Sequence, residues 1–120
     1  MALNIVGGSV SPSTAFTINA QTGTTYTFVL TDANNTLVTA SNASAQTYTI
    51  PPNSSVAYAI GSQINVIAIG AGQVSFAQGS GVTIASTGAT ATAPKIRTQY
   101  SSATAIKNGT DSWYVIGDIS

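Results

Sequence analysis

The sequence predicts an all-β fold, a compact antiparallel β-sandwich or small barrel of about nine to eleven short strands. Three observations carry this. Apolar and polar residues alternate at period two through most of the chain, the mark of a strand with one buried face. Gly-, Pro- and Asn-rich breaks separate the alternating runs. Thr, Val, Ile and Tyr fill the strand positions, and no run has a helical period longer than a turn.

In chain order, residues 1–12 place Leu3, Ile5 and Val6 ahead of Gly7-Gly8 and Ser11-Pro12. They read either as a first edge strand or as an arm that adds to a neighbour's sheet or docks on a partner. Residues 13–120 read as one β domain. Thr14 to Asn19 alternates weakly. Thr24 to Leu30 alternates well, and Asp32 to Asn35 turns it into a return strand at Leu37-Val38, an expected hairpin. Asn42 to Ala45 turns the chain again, and Thr47 to Ile50 leads into Pro51-Pro52, which cannot donate to a ladder.

The longest strand-and-turn stretch is Thr49 to Ile84. Val56, Tyr58 and Ile60 alternate, then Ile64, Val66 and Ala68, then Val74, Phe76, Val82 and Ile84. Pro51-Pro52-Asn53, Gly61-Ser62, Gly70-Ala71-Gly72 and Gly79-Ser80-Gly81 supply the breaks. Ser86 to Pro94 reads as a loop, and Lys95 to Tyr100 as a further strand. Asn108-Gly109, between Ala103–Lys107 and Trp113–Ile116, is a strong hairpin signal. Trp113 and Tyr114 point to opposite faces, so one of them is exposed or at an interface. Tyr100, Trp113 and Tyr114 are the candidate interface aromatics. No internal repeat is evident.

Composition narrows function. Of 120 residues only 5% are charged, against about 25% in ordinary domains. Three basic and three acidic side chains cancel, and His and Cys are absent. A neutral chain has no field to steer it to nucleic acid or an anionic membrane. Weak mutual repulsion favours association. The absence of Cys removes disulfides and thiolate metal sites. The N-terminus lacks a signal-peptide pattern, and no apolar run approaches the roughly 20 residues of a membrane helix. The expectation is synthesis and use in a cytoplasm, or release by lysis.

The catalytic inventory is short. Asp111 and Asp118 are the nearest approach to a glycosidase carboxylate pair, and both read as turn residues. No His is available to activate a serine. Asp32 and Asp111 with backbone carbonyls are a thin calcium site. The Gly clusters lack the Lys-Ser or Lys-Thr of a phosphate loop. Lys95, Arg97 and Lys107 near Tyr100 and Trp113 are too few for a nucleic-acid patch. The reading is a non-enzyme without cofactor or metal. Exposed Tyr, Trp, Asn and Gln keep open a lectin-like role.

Several motifs resemble a small β domain of tailed-bacteriophage structural proteins. They are Thr49-Ile-Pro-Pro-Asn-Ser-Ser-Val-Ala-Tyr58, Gly61-Ser-Gln-Ile-Asn-Val66, Gly70-Ala-Gly-Gln-Val74 and Gly79-Ser-Gly-Val-Thr-Ile84. Gln99-Tyr-Ser-Ser-Ala-Thr-Ala-Ile-Lys107 and Trp113-Tyr-Val-Ile-Gly-Asp118 complete the set. The resemblance runs from about Thr24 to the C-terminus, and such domains occur in tail fibres, head fibres and capsid decoration proteins. It implies a virion structural protein made in the bacterial host cytoplasm. With only a short arm before the β region, the expected role is a capsid decoration (cement) protein on the capsid surface. It would associate as a homotrimer and bind the major capsid protein, with Leu3, Ile5 and Val6 as the candidate capsid-contact arm. The alternative is a receptor- or glycan-binding tip of a phage fibre.

Overall fold

A computed structural model describes residues 15–120. The candidate arm residues Leu3, Ile5 and Val6 lie outside the described residues. Nine strands are described: β1 Thr17–Gln21, β2 Thr25–Thr27, β3 Thr36–Ala40, β4 Gln46–Ile50, β5 Gln63–Ala68, β6 Val74–Gln78, β7 Thr83–Ala85, β8 Ser102–Gly109 and β9 Ser112–Gly117. A single 3-10 turn covers Leu30–Ala33.

The all-β expectation holds at this level, but the antiparallel pairing does not. A six-stranded sheet has the order β1-β3-β5-β8-β9-β7, and a three-stranded sheet has the order β2-β4-β6. The small sheet is wholly parallel. In the large one only β8 runs against its neighbours. From β1 to β6 the chain winds: it lays a strand in the large sheet, crosses to the small one, and returns beside the strand it left, whereas β7 goes to the far edge of the large sheet beside β9. Each such circuit is one coil.

The expected hairpin at Asp32–Asn35 is therefore a crossing between sheets. Alternation reports one buried face and is silent about pairing direction. Asp32 makes the crossing. Its carboxylate is buried and accepts from the Val29 amide at 2.9 Å, the Tyr26 hydroxyl at 2.7 Å and the Asn19 amide at 2.8 Å. A buried carboxylate is tolerable only when donors converge on it in this way. The hairpin at Asn108-Gly109 does form, as β8 and β9, with a register shift between Lys107 and Gly109.

Two expected strands do not form. Val56 to Ile60 is irregular, because Pro52 O accepts both the Ser55 and Val56 amides and curls the chain. Lys95 to Tyr100 makes only isolated bridges, Ser75 with Lys95 and Ile96 with Ile119. Its segment covers the free edge of β6, where the Phe76 amide donates to Pro94 O and the Ile96 amide to Val74 O.

One apolar cluster joins the two sheets. Val38, Ile64, Val66 and Val115 come from the large sheet, Tyr48, Ile50, Val74 and Phe76 from the small one. In-register parallel pairing stacks like on like: Tyr26 opposes Tyr48, and Tyr48 opposes Phe76. Phe28 packs on all three, at ring-centroid distances of 5.6, 5.8 and 6.2 Å. Such ring pairs add about 0.5–1.5 kcal/mol each beyond their burial.

Candidate functional site

Residues with outward parity on the large sheet form a continuous surface. One cross-strand row reads Ile18, Leu37, Asn65, Thr104, Ile116. A second reads Gln63, Ile106, Tyr114, Ala85. A third reads Ala20, Thr39, Ile67, Ser102. Ile18 is 58% exposed, Tyr114 49% and Ile116 54%, while Leu37, Ile67 and Ile106 are half-buried. None of the three rows contains a charged residue.

The rows divide into bands. Leu37 and Ile18 lie on β3 and β1, next to exposed Phe16. Ile106, Tyr114 and Ile116 lie on β8 and β9. Between them, on β5 and β8, lie polar Gln63, Asn65 and Thr104 together with apolar Ile67, and the Thr104 hydroxyl donates to Asn65 Oδ1 at 2.7 Å. A hollow lined by Phe16, Asn35, Gln63 and Asn65 borders these residues. A second hollow, of about 300 Å³, is walled by Ala85, Thr87, Tyr114, Ile116 and Gly117.

The outer face of the small sheet differs. Its rows are Thr25, Thr47, Ser75 and Thr27, Thr49, Ala77. Hydroxyls dominate where the large sheet carries aliphatic and aromatic groups. The two outer faces thus differ in character: the small sheet's is hydroxyl-rich and the large sheet's carries the exposed aliphatic and aromatic side chains.

The charged groups lie elsewhere. Arg97 grips the Asp118 carboxylate with two hydrogen bonds, at 2.7 and 2.8 Å, and the Ser101 hydroxyl adds a third at 2.6 Å. Arg97, and then Ser101, hold this carboxyl down at about 2. Asp111 accepts the Asn53 amide at 2.7 Å. Asp111 and Asp118 sit at opposite ends of β9, about 20 Å apart at strand rise, too far for a shared catalytic task. Asp32 is buried, with Tyr26, Asn19 and the Val29 amide as its donors. No group of three or more potential metal-ligating side chains occurs among the described residues.

Of the candidate aromatics, Tyr114 is on the apolar face, and Tyr100 is 70% exposed at the end of the sheet. Tyr100 holds a φ of 69°, a conformation that bulky residues adopt only when surroundings impose it, and its amide donates to Ala68 O. Trp113 is the inward member of the pair. It is buried, with its ring edge-on to Tyr58 at 5.3 Å, so it belongs to the core. Lys107 is also buried, its ammonium donating to Asn53 Oδ1 and Tyr58 O, both at 2.7 Å.

Ile18, Leu37, Ile106 and Ile116 are the contact candidates that sequence reasoning did not single out. A signal existed. Strands such as Ala103–Lys107 and Trp113–Ile116 carry apolar groups at both parities, which a half-solvated strand does not need.

Comparison with known proteins finds no matching family model, no matching curated protein and no matching solved structure.

Proposed function

We propose that the chain is a non-enzymatic structural protein of a bacteriophage virion. Its role is capsid decoration: it binds the major capsid protein and stabilises the shell as a homotrimer. The observation that carries this reading is the outer face of the large sheet, which mixes aliphatic and aromatic side chains with uncharged polar ones and has no charge in its three rows. Such a surface buries against a partner without stripping water from ions, the costliest part of making an interface. Repeated weak contacts over a lattice then multiply through effective concentration. The motifs at Thr49–Tyr58 and Gln99–Lys107 supply the virion context, by resemblance.

The test is a copy count by quantitative mass spectrometry on purified particles that carry the protein. Hundreds of copies per particle are expected. A few tens or fewer would move the chain to a fibre. The fibre-tip reading draws on Tyr100 and Tyr114, whose exposed rings can stack on sugars. Specific signals on a glycan array would favour it.

A further inference from the structure

We propose that Lys107 and Asn53 become joined by an isopeptide bond, the Lys107 amine displacing ammonia from the Asn53 side-chain amide within the folded chain. The substrate is the protein itself, so the inference is independent of what the protein attaches to. The hydrogen-bonded pair is the state before reaction.

Burial, charge and geometry carry it. Of the three basic residues, Lys95 and Arg97 are exposed, whereas Lys107 is only 3% exposed. No carboxylate answers its charge. Arg97 with Asp118 is the one ion pair among the described residues, and the Lys107 ammonium meets two neutral acceptors, Asn53 Oδ1 and Tyr58 O. A buried ammonium without a counter-charge is costly, and conversion to a neutral amide removes that cost.

The reacting atoms are close. Lys107 Nζ lies 2.7 Å from Asn53 Oδ1. Given the length of a carbonyl bond, Nζ is then roughly 3–4 Å from Asn53 Cγ, near the spacing of a near-attack pair. Both partners are held. Lys107 stands on β8, cross-strand from buried Trp113, and the Tyr58 ring packs edge-on against Trp113 at 5.3 Å. The Asn53 main-chain amide donates to Asp111 Oδ1 at 2.7 Å, at the turn between β8 and β9. Lysine amines act as nucleophiles when held out of water in this way.

The step balances without a co-reactant. The ammonium gives one proton to water, and the neutral amine attacks Cγ. The Nζ–Cγ bond forms and the Cγ–Nδ2 bond breaks. A second amine proton leaves with Nδ2 as ammonia, which takes up the released proton as ammonium ion. The new amide keeps one N–H, and Tyr58 O remains beside it to accept. The link would span 54 residues in a chain without cysteine, and would restrict the unfolded ensemble as a disulfide does, with no sensitivity to reductant.

Intact mass spectrometry and tryptic mapping of the denatured full chain test this, fresh and after prolonged incubation of the folded protein. The mass is expected to fall below the sequence mass by one ammonia, to an extent that grows with time. Trypsin cuts after Lys95, Arg97 and Lys107. It is expected to skip an acylated Lys107 and to release residues 1–95 joined to residues 98–120 as one branched peptide. Lys107→Arg and Asn53→Ala are each expected to restore the full mass while keeping the β spectrum in circular dichroism. The wild-type branched peptide decides the matter even if a variant unfolds. Full mass after incubation, with complete cleavage at Lys107, overturns the inference. So does an ammonia loss confined to an unbranched peptide 108–120, which would mark a succinimide at Asn108-Gly109, and so does a folded Lys107→Arg chain that still loses ammonia.

Discussion

Lys107 shows what a single residue contributes here. Its stem lies among core residues on the inner side of β8, and its ammonium reaches Asn53 Oδ1 and Tyr58 O. Asn53 in turn donates its amide to Asp111. One buried cation thereby ties the irregular 51–62 segment to the hairpin. Lys107→Met keeps the bulk but leaves two acceptors without their donor. Its expected cost is about 1–3 kcal/mol, read as a lower urea midpoint at unchanged slope. The position was legible, since Ala103, Ala105 and Lys107 share one parity and the first two are plainly inward. The partners were not, because Asn53 and Tyr58 lie about fifty residues away in sequence. The opposite exposures of Trp113 and Tyr114 followed from parity alone.

At the scale of elements, alternation located most strands and Asn108-Gly109 located the hairpin. The winding was hidden because its coils are unequal. Thr17 pairs with Thr36 and Thr25 with Thr47, but Leu37 pairs with Asn65 and Gln46 with Val74. Successive offsets are thus 19 and 28 residues in one sheet, 22 and 28 in the other, and no fixed period reaches the sequence. The turns of adjacent coils do meet. The Gly72 amide donates to Asn42 O at 2.8 Å, and a Cβ added at Gly72 would lie 1.8 Å from Ser44 O. Gly72 is needed for close approach of two backbones rather than for an unusual φ. Gly72→Ala is expected to cost at least about 2 kcal/mol in chemical denaturation, since both colliding groups are main chain. A neutral result would mean that the two turns are not stacked.

For the whole molecule, the titrating groups set a pH window. Burial first, and then the Asp32 carboxylate, push the Tyr48 hydroxyl up to about 12. Burial and Asp32 also raise Tyr26 and Tyr58. Each folded value exceeds the ordinary phenol value of 10.0, so this stabilisation is complete below about pH 10 and is lost as pH rises through the folded values. At the acid end Asp118 is depressed from 3.8 to about 2, so its contribution is present above about pH 4 and fades as pH falls through about 2. That pair is solvent-exposed and its effect is small. Far-UV circular dichroism from pH 2 to 13 is expected to show cooperative loss on the alkaline side, and Tyr48→Phe should delay it. The scarcity of charge that composition announced takes spatial form in the uncharged outer face of the large sheet. Which strands would share that face depended on pairings between residues far apart in the chain.

The wound connectivity also governs how the molecule bears load. β1 is an outermost strand of the large sheet, and a pull from its N-terminal side meets one ladder at a time, β1 from β3 and then β3 from β5. The other terminus is anchored differently: the Ser120 amide donates to Lys95 O, and Lys95 is bridged to β6. Tension between the two ends therefore peels the first coil while the last stays clasped, which makes the β1 flank the mechanical fuse of the fold.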